Sequence, residues 1–243
     1  VALIPASILS DDIATIYNVP EIRDIVALEE ILRVLNCKTD IDKDRMTIDT
    51  KNMQNIEIGE EISQKLRASY YFMGALLGKY HKVSMYFPGG CSIGTRPIDL
   101  HLKGFEALGA KVENNKNQYI VSADKLKGAD IYLDFASVGA TINIMLAAVK
   151  AEGTTTIDNA AKEPEIVNVA TYLSSMGAKI SGAGTSKITI KGVKKLSRAM
   201  GEIIPDRIEA GTYIIIGALT GDKLRIEKLI PEHIEALISK LEE

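Results

Sequence analysis

Four segments of this chain open on a proline and run on into an apolar helical pattern: "NVPEIRDIVALEEILRVLNCKTDI", "GTRPIDLHLKGFEALGAKVEN", "KEPEIVNVATYLSSMGAKISG" and "LIPEHIEALISKLEE". The prolines are Pro20, Pro97, Pro164 and Pro231, and the last two intervals are both 67 residues. Recurrence on this scale signals repeated supersecondary units. Proline is tolerated in the first helical turn, where its missing N–H has no acceptor to lose, so each proline predicts a helix start. The ends also match. "LGAK" and "MGAK" put Gly109 and Gly177 where a left-handed cap is wanted, and Asn36 takes that place in "LNCK". The alternating segments "RMTID", "QYIVSA" and "KITIKG" follow, the second of them after the polar turn Asn115-Lys116-Asn117, and they predict hairpins.

A second helix type precedes these prolines: "RASYYFMGALLGKY", "SVGATINIMLAAVKAEG" and "RIEAGTYIIIGALTG", with "VALIPASIL" resembling them. They are apolar on nearly every face, which predicts burial on every face, with Ile142, Met145, Leu146 and Val149 turned inward. A β-rich segment follows each: "ATIYNV", "KVSMYF", "TTTID" and "KLRIEKL". The unit is thus buried helix, strand, amphipathic helix, hairpin. The fourth unit begins near Pro205 and lacks its hairpin, the pattern expected of a fragment.

The 243 residues allow one large domain or two smaller ones, with length for a sizeable core. A net charge of −3 and no basic run argue against a nucleic-acid partner. No apolar run reaches membrane-spanning length, and "VALIPASILSDD" lacks the basic start of a signal peptide. Two cysteines, Cys37 and Cys91, make a disulfide framework a poor expectation and suit a reducing, cytoplasmic setting. Cys37 sits where the other repeats carry alanine, so it reads as core packing. Cys91 sits in "FPGGCSIGTRPIDLH", a glycine-rich stretch with Arg96 five residues on. Nearby cations lower a thiol pKa, which makes a reactive thiol the competing reading to a small apolar filler.

The motifs "KLRASYYFMG", "PGGCSIGTRPIDLH", "SVGAT", "NAAKEPEIV" and "PDRIEAGT" together resemble the UDP-N-acetylglucosamine 1-carboxyvinyltransferases, a family of enolpyruvyl transferases. The likeness runs through the whole chain, and the cysteine loop is its most specific part. It implies a mixed α/β fold: an α/β prism, or inside-out α/β barrel, of repeated βαβαββ units around buried helices. Residues 1–205 would form a nearly complete domain of three units and residues 206–243 the first part of a second. The chain would cover a little over half of a family member, without the lysine–asparagine pair that precedes Val1 in the family and without the second domain's catalytic aspartate and phosphate-binding arginines.

The resemblance also implies phosphoenolpyruvate and UDP-N-acetylglucosamine as substrates, with no cofactor and no metal. Cys91 would donate a proton to the enolpyruvyl methylene carbon or form a covalent adduct. Arg67 would face the substrates, and Arg96 would hold the phosphate and the nucleotide sugar. Guanidinium suits both anions because it binds their oxygens bidentately and keeps its charge; a structural ion pair is the plainer alternative. Pro97, Ile98, Asp99, Leu100 and His101 would line the uridine pocket, although Asp99 is also an ordinary helix-dipole partner and His101 an ordinary structural histidine. His81 and His233 read as surface residues. Ser137, Val138 and Gly139 would present free helix N–H groups to the diphosphate, while serine is equally an ordinary N-cap. Phe135 stands where some relatives carry a lysine. Glu163, Asp206 and Arg207 are cleft candidates whose plain readings are helix-start acid and local ion pair. The expected activity is enolpyruvyl transfer to the 3-hydroxyl of the nucleotide sugar, the first committed step of peptidoglycan synthesis. The 243 residues alone are expected to bind that sugar weakly without turning it over. The alternatives are a non-catalytic nucleotide-sugar-binding domain and the shikimate-pathway transferase. The sequence leaves oligomeric state open.

Overall fold

The computed structural model describes residues 1–89, 97–221 and 223–243. The chain divides into two units, Val1–Ile203 and Ile204–Glu243. In the first, the chain forms α1 (Leu3–Ser7), β1 (Ile13–Tyr17), α2 (Arg23–Val34) and the hairpin β2 (Lys38–Asp42) and β3 (Arg45–Asp49). It continues with α3 (Glu60–Lys65), a 3-10 turn (Arg67–Tyr70), α4 (Tyr71–Tyr80), β4 (Lys82–Tyr86), α5 (Asp99–Ala107) and the hairpin β5 (Lys111–Asn115) and β6 (Gln118–Ser122). The third pass gives β7 (Asp130–Tyr132), α6 (Val138–Ala148), β8 (Thr154–Asp158), α7 (Pro164–Ser175) and the hairpin β9 (Lys179–Ser181) and β10 (Lys187–Lys191); β11 (Met200–Glu202) comes last.

Three sheets repeat one plan. Their orders are β11-β1-β3-β2, β7-β8-β10-β9 and β4-β6-β5. In each, the strand after the buried helix pairs antiparallel with the second hairpin strand, as Thr15 does with Thr47, Met85 with Tyr119 and Thr156 with Thr189. A short parallel neighbour flanks that strand on its other side: β11 beside β1, β7 beside β8, and a single bridge from Ile58 to Met85 beside β4. Ile58 and β7 each lead the unit whose strand they flank, so the βαβαββ plan holds there. The first unit receives its leading strand from β11, far along the chain.

The buried helices earn their burial through glycine. A Cβ at Gly74 of α4 would stand 2.3 Å from the backbone and side-chain oxygens of Asn143 in α6, and one at Gly78 would stand 2.8 Å from the Leu146 carbonyl oxygen. Only hydrogen at these positions lets two helix backbones come so close. Ile142, Met145, Leu146 and Val149 are all buried, as their pattern predicts. So is Cys37, whose burial pushes its thiol up to about 12. The caps also match expectation: Gly109, Gly177 and Asn36 have φ of +93°, +101° and +62°.

Other expectations change. Pro164 is the first residue of α7, but Pro20 and Pro97 lie two or more residues ahead of α2 and α5. They fix the extended approach to a helix rather than its first turn. Residues 223–229 form no strand. In the second unit, α8 (Arg207–Thr220) precedes a 3-10 turn (Pro231–His233) and α9 (Glu235–Glu242). The expected burial of α8 is not found: only Ala210 and Gly211 are buried. Within its own unit the helix has little to pack on besides residues such as Leu237 of α9 and Leu224. His81 and His233 are half-buried rather than on the surface; His81 ends α4 in the left-handed conformation.

Candidate functional site

The site-forming segments of the first unit converge where the 3-10 turn, α5 and α6 meet. The turn is anchored from α3: Ser69 Oγ donates to the Ser63 carbonyl at 3.0 Å, and Ser63 Oγ to the Ile58 carbonyl at 3.2 Å. This holds Arg67 on a tight turn rather than inside a helix. Arg67 is half-buried, with its guanidinium carbon 5.8 Å from the centre of the Tyr70 ring, within range of a cation–π contact.

From α5 comes His101, buried to 5% exposure, its N–H bonded to the carbonyl of the buried Ile98. Tyr70 meets the His101 ring edge-on, with centroids 4.7 Å apart. Burial, with the Arg67 guanidinium adding to it, pushes His101 down to about 3, so its imidazole is neutral at ordinary pH.

From α6 comes a helix start. Ser137 is the N-cap, its Oγ accepting from the Ala140 N–H at 3.3 Å. The plain reading of this serine therefore describes what its hydroxyl does. The first-turn N–H groups of Val138 and Gly139 have no acceptor within the helix, by the geometry of any helix start. They stand at its positive dipole end. A Cβ on Gly139 would lie 2.7 Å from the Tyr70 hydroxyl and 3.2 Å from His101 Nε2. Glycine is required there for these groups to crowd the helix end.

One turn deeper, Asn143 ties the three elements together. Its Oδ1 accepts from the Gly74 N–H at 2.8 Å, and its Nδ2 donates to the Tyr70 carbonyl at 2.9 Å and lies 2.9 Å from His101 Nδ1. Neither Tyr70 nor Asn143 stands out in the sequence. A polar residue inside an otherwise apolar helix was the available signal, since a buried asparagine demands partners.

The remaining candidates distribute as follows. Cys91 and Arg96 lie outside the described residues. Pro97 and Asp99 are exposed and Leu100 is half-buried, at the start of α5. Glu163 is the N-cap residue of α7 without a capping side-chain bond, and its Oε2 is buried with no hydrogen-bond partner among the described residues. Its approach is tied to α6 by the Ala161 N–H, which donates to Thr141 Oγ1 at 3.1 Å. Phe135 is exposed. Asp206 and Arg207 belong to the second unit. Asp206 Oδ1 caps α8 by accepting from the N–H groups of Ile208 and Glu209 at 2.8 and 3.1 Å, its plainer reading. Among the described residues no group of His, Cys, Asp or Glu is placed to hold a metal, and no helix is long and apolar enough to cross a membrane.

A fold of repeated βαβαββ units around buried glycine-bearing helices, with a cation and helix-end donors at one junction, defines an enolpyruvyl transferase architecture. Solved structures share this fold. The chain is similar to the enolpyruvyl transferase NikO from Streptomyces tendae, with a TM-score of 0.80 at 22% identity over 91% of this chain and 53% of that one. It is also similar to EPSP synthase from Acinetobacter baumannii, at 0.68 and 20% identity over 90% and 52%. Residues 1–243 match the family described as EPSP synthase (3-phosphoshikimate 1-carboxyvinyltransferase), and the chain belongs to that family. Within it, the chain is 54% identical to UDP-N-acetylglucosamine 1-carboxyvinyltransferase 2 of Oceanobacillus iheyensis and 53% identical to that of Bacillus subtilis strain 168, in both cases over 243 residues. The chain spans 57% of the length of each of these relatives.

Proposed function

We propose that this chain carries the nucleotide-sugar side of a site that transfers the enolpyruvyl group of phosphoenolpyruvate to the 3-hydroxyl of UDP-N-acetylglucosamine, in the cytoplasm, at the entry to peptidoglycan synthesis. The observation that carries the reading is the donor set at the start of α6: first-turn N–H groups, a glycine that lets Tyr70 and a neutral buried histidine close in beside them, and Arg67 nearby. Such a helix end receives phosphate oxygens. The relatives' names supply the particular acceptor. Asp99 and the backbone of residues 97–101 would meet the uracil, and Arg96 and Arg67 the phosphates.

In the reaction the sugar hydroxyl adds to C2 of phosphoenolpyruvate and gives its proton to a base, while the Cys91 thiol protonates C3. A base then takes a C3 proton as phosphate leaves C2, restoring the double bond in the new ether. Arginines offset the phosphate charge throughout.

Calorimetry with UDP-N-acetylglucosamine tests the binding half, with shikimate 3-phosphate as the competing ligand. Mass mapping after brief exposure to a phosphonate epoxide tests the thiol: the adduct is expected on Cys91, with Cys37 untouched. Binding of shikimate 3-phosphate in place of the nucleotide sugar, or equal labelling of both thiols, overturns the reading. A phosphate-release assay on the same 243-residue preparation separates a catalytic chain from one that only binds.

A further inference from the structure

The amide of Asn143 has no freedom in how it points. The Gly74 N–H can only donate and the Tyr70 carbonyl can only accept, so Oδ1 must face the first and Nδ2 the second. The second hydrogen of Nδ2 is then directed at His101 Nδ1, 2.9 Å away. A nitrogen that receives a hydrogen bond from an amide carries no proton of its own. The single proton of the neutral ring must therefore sit on Nε2, the atom beside Gly139 at the start of α6.

We propose that Asn143 is a positioning residue: two backbone groups orient its amide, the amide fixes His101 as the Nε2–H tautomer, and the imidazole thereby becomes one more donor at the helix end that receives a nucleoside diphosphate. The ligand class rests on the function proposed above; the tautomer does not. In the other tautomer Nε2 would present a lone pair to phosphate oxygens and repel them. The arrangement also supplies a donor without a charge. Among the described residues, the titratable groups that face the ring are Arg67 and Tyr70 from the 3-10 turn. An imidazolium beside that guanidinium would be opposed, whereas a neutral N–H is not.

The test begins on the full 243-residue chain without ligand. Nitrogen-15 spectra of ring-labelled histidine separate His101 from His81 and His233 by comparison with a His101→Gln variant. The expected pattern for His101 is protonated Nε2 and bare Nδ1, unchanged from pH 5 to 8. A protonated Nδ1, or an imidazolium, in the unmodified chain overturns the proposal. Asn143→Asp replaces the donor facing Nδ1 with an acceptor, so the proton is expected to move to Nδ1. Persistence of the Nε2–H form in a folded Asn143→Asp chain also overturns it. The ligand arm uses UDP-N-acetylglucosamine. Asn143→Leu is expected to weaken binding about tenfold in the parent and to change it less than twofold when His101 is already alanine. Equal losses in both backgrounds would show that Asn143 does not act through His101. If the unmodified chain fails to bind this sugar, the functional reading falls while the tautomer measurement still decides the role of Asn143.

Discussion

Two helices of similar character have opposite fates in this molecule. In α6, nine of eleven residues are buried; in α8, two of fourteen are. Both read as apolar all round. The difference lies in what each can touch within its own unit. α6 meets α4 through Gly74 and Gly78 and α5 through Gly104, whose Cβ would stand 2.3 Å from the Ile144 side chain. α8 leaves Ile208, Tyr213, Ile216 and Leu219 exposed. An apolar sequence measures how much surface calls for cover. Whether cover arrives depends on glycines, and on partners, placed elsewhere in the chain.

The sharpest test of this contrast is truncation at the centre. Phe72→Ala in α4 removes a side chain with no exposure and is expected to cost about 4 kcal/mol in urea unfolding. Leu219→Ala in α8, at 79% exposure, is expected to cost less than about 0.5 kcal/mol. Equal costs would break the comparison and show that α8 is covered in solution. Next in size, Gly74→Ala is expected to lose about 3 kcal/mol, because the added methyl meets backbone on the facing helix. Full tolerance, seen as an unshifted thermal midpoint, would mean that the two helices part easily.

Acid offers a smaller and graded probe. His101 has its pKa lowered from 6.5 to about 3 on folding. The unfolded chain therefore binds the extra proton first as pH falls. This contribution to stability is complete above pH 6.5 and declines by about 1.4 kcal/mol per pH unit on the way down to about 3. Chemical denaturation at stepped pH should show that slope, and His101→Gln should remove it. A parent and variant with parallel pH profiles would mean that the ring is hydrated. Smallest of all, Asn36→Gly keeps the left-handed cap and loses one exposed bond to the Asn52 carbonyl, so its midpoint should move little, by no more than about 0.5 kcal/mol.

The repeat made most of the first unit legible. Capping glycines, hairpins and the inward face of α6 all follow from local patterns that a sequence displays. What stayed hidden was long-range or brief. β7 and β11 are three residues each, with polar or glycine residues among them, too short to show alternation. The helix starts lie two or three residues beyond Pro97 and Pro20, because proline is at home both before and inside a helix start. Motif likeness singles out Arg67, His101 and Ser137–Gly139 as candidates, and the fold brings them together, whereas Asn143 acts through partners 42 to 73 positions away, a relation no local pattern encodes.

The pairing of β11 with β1 has a consequence for how the molecule is made. Asn18 at the end of β1 bonds to the Ile203 carbonyl 185 residues further on, and Thr15 is in register with Met200. On the ribosome, β1, α2 and the first hairpin emerge long before the strand that flanks them. The first sheet must therefore wait with one edge open, able to pair with other chains, while the second and third are synthesised. The last strand to appear closes it, so folding of the first unit cannot finish until nearly all of that unit has been translated.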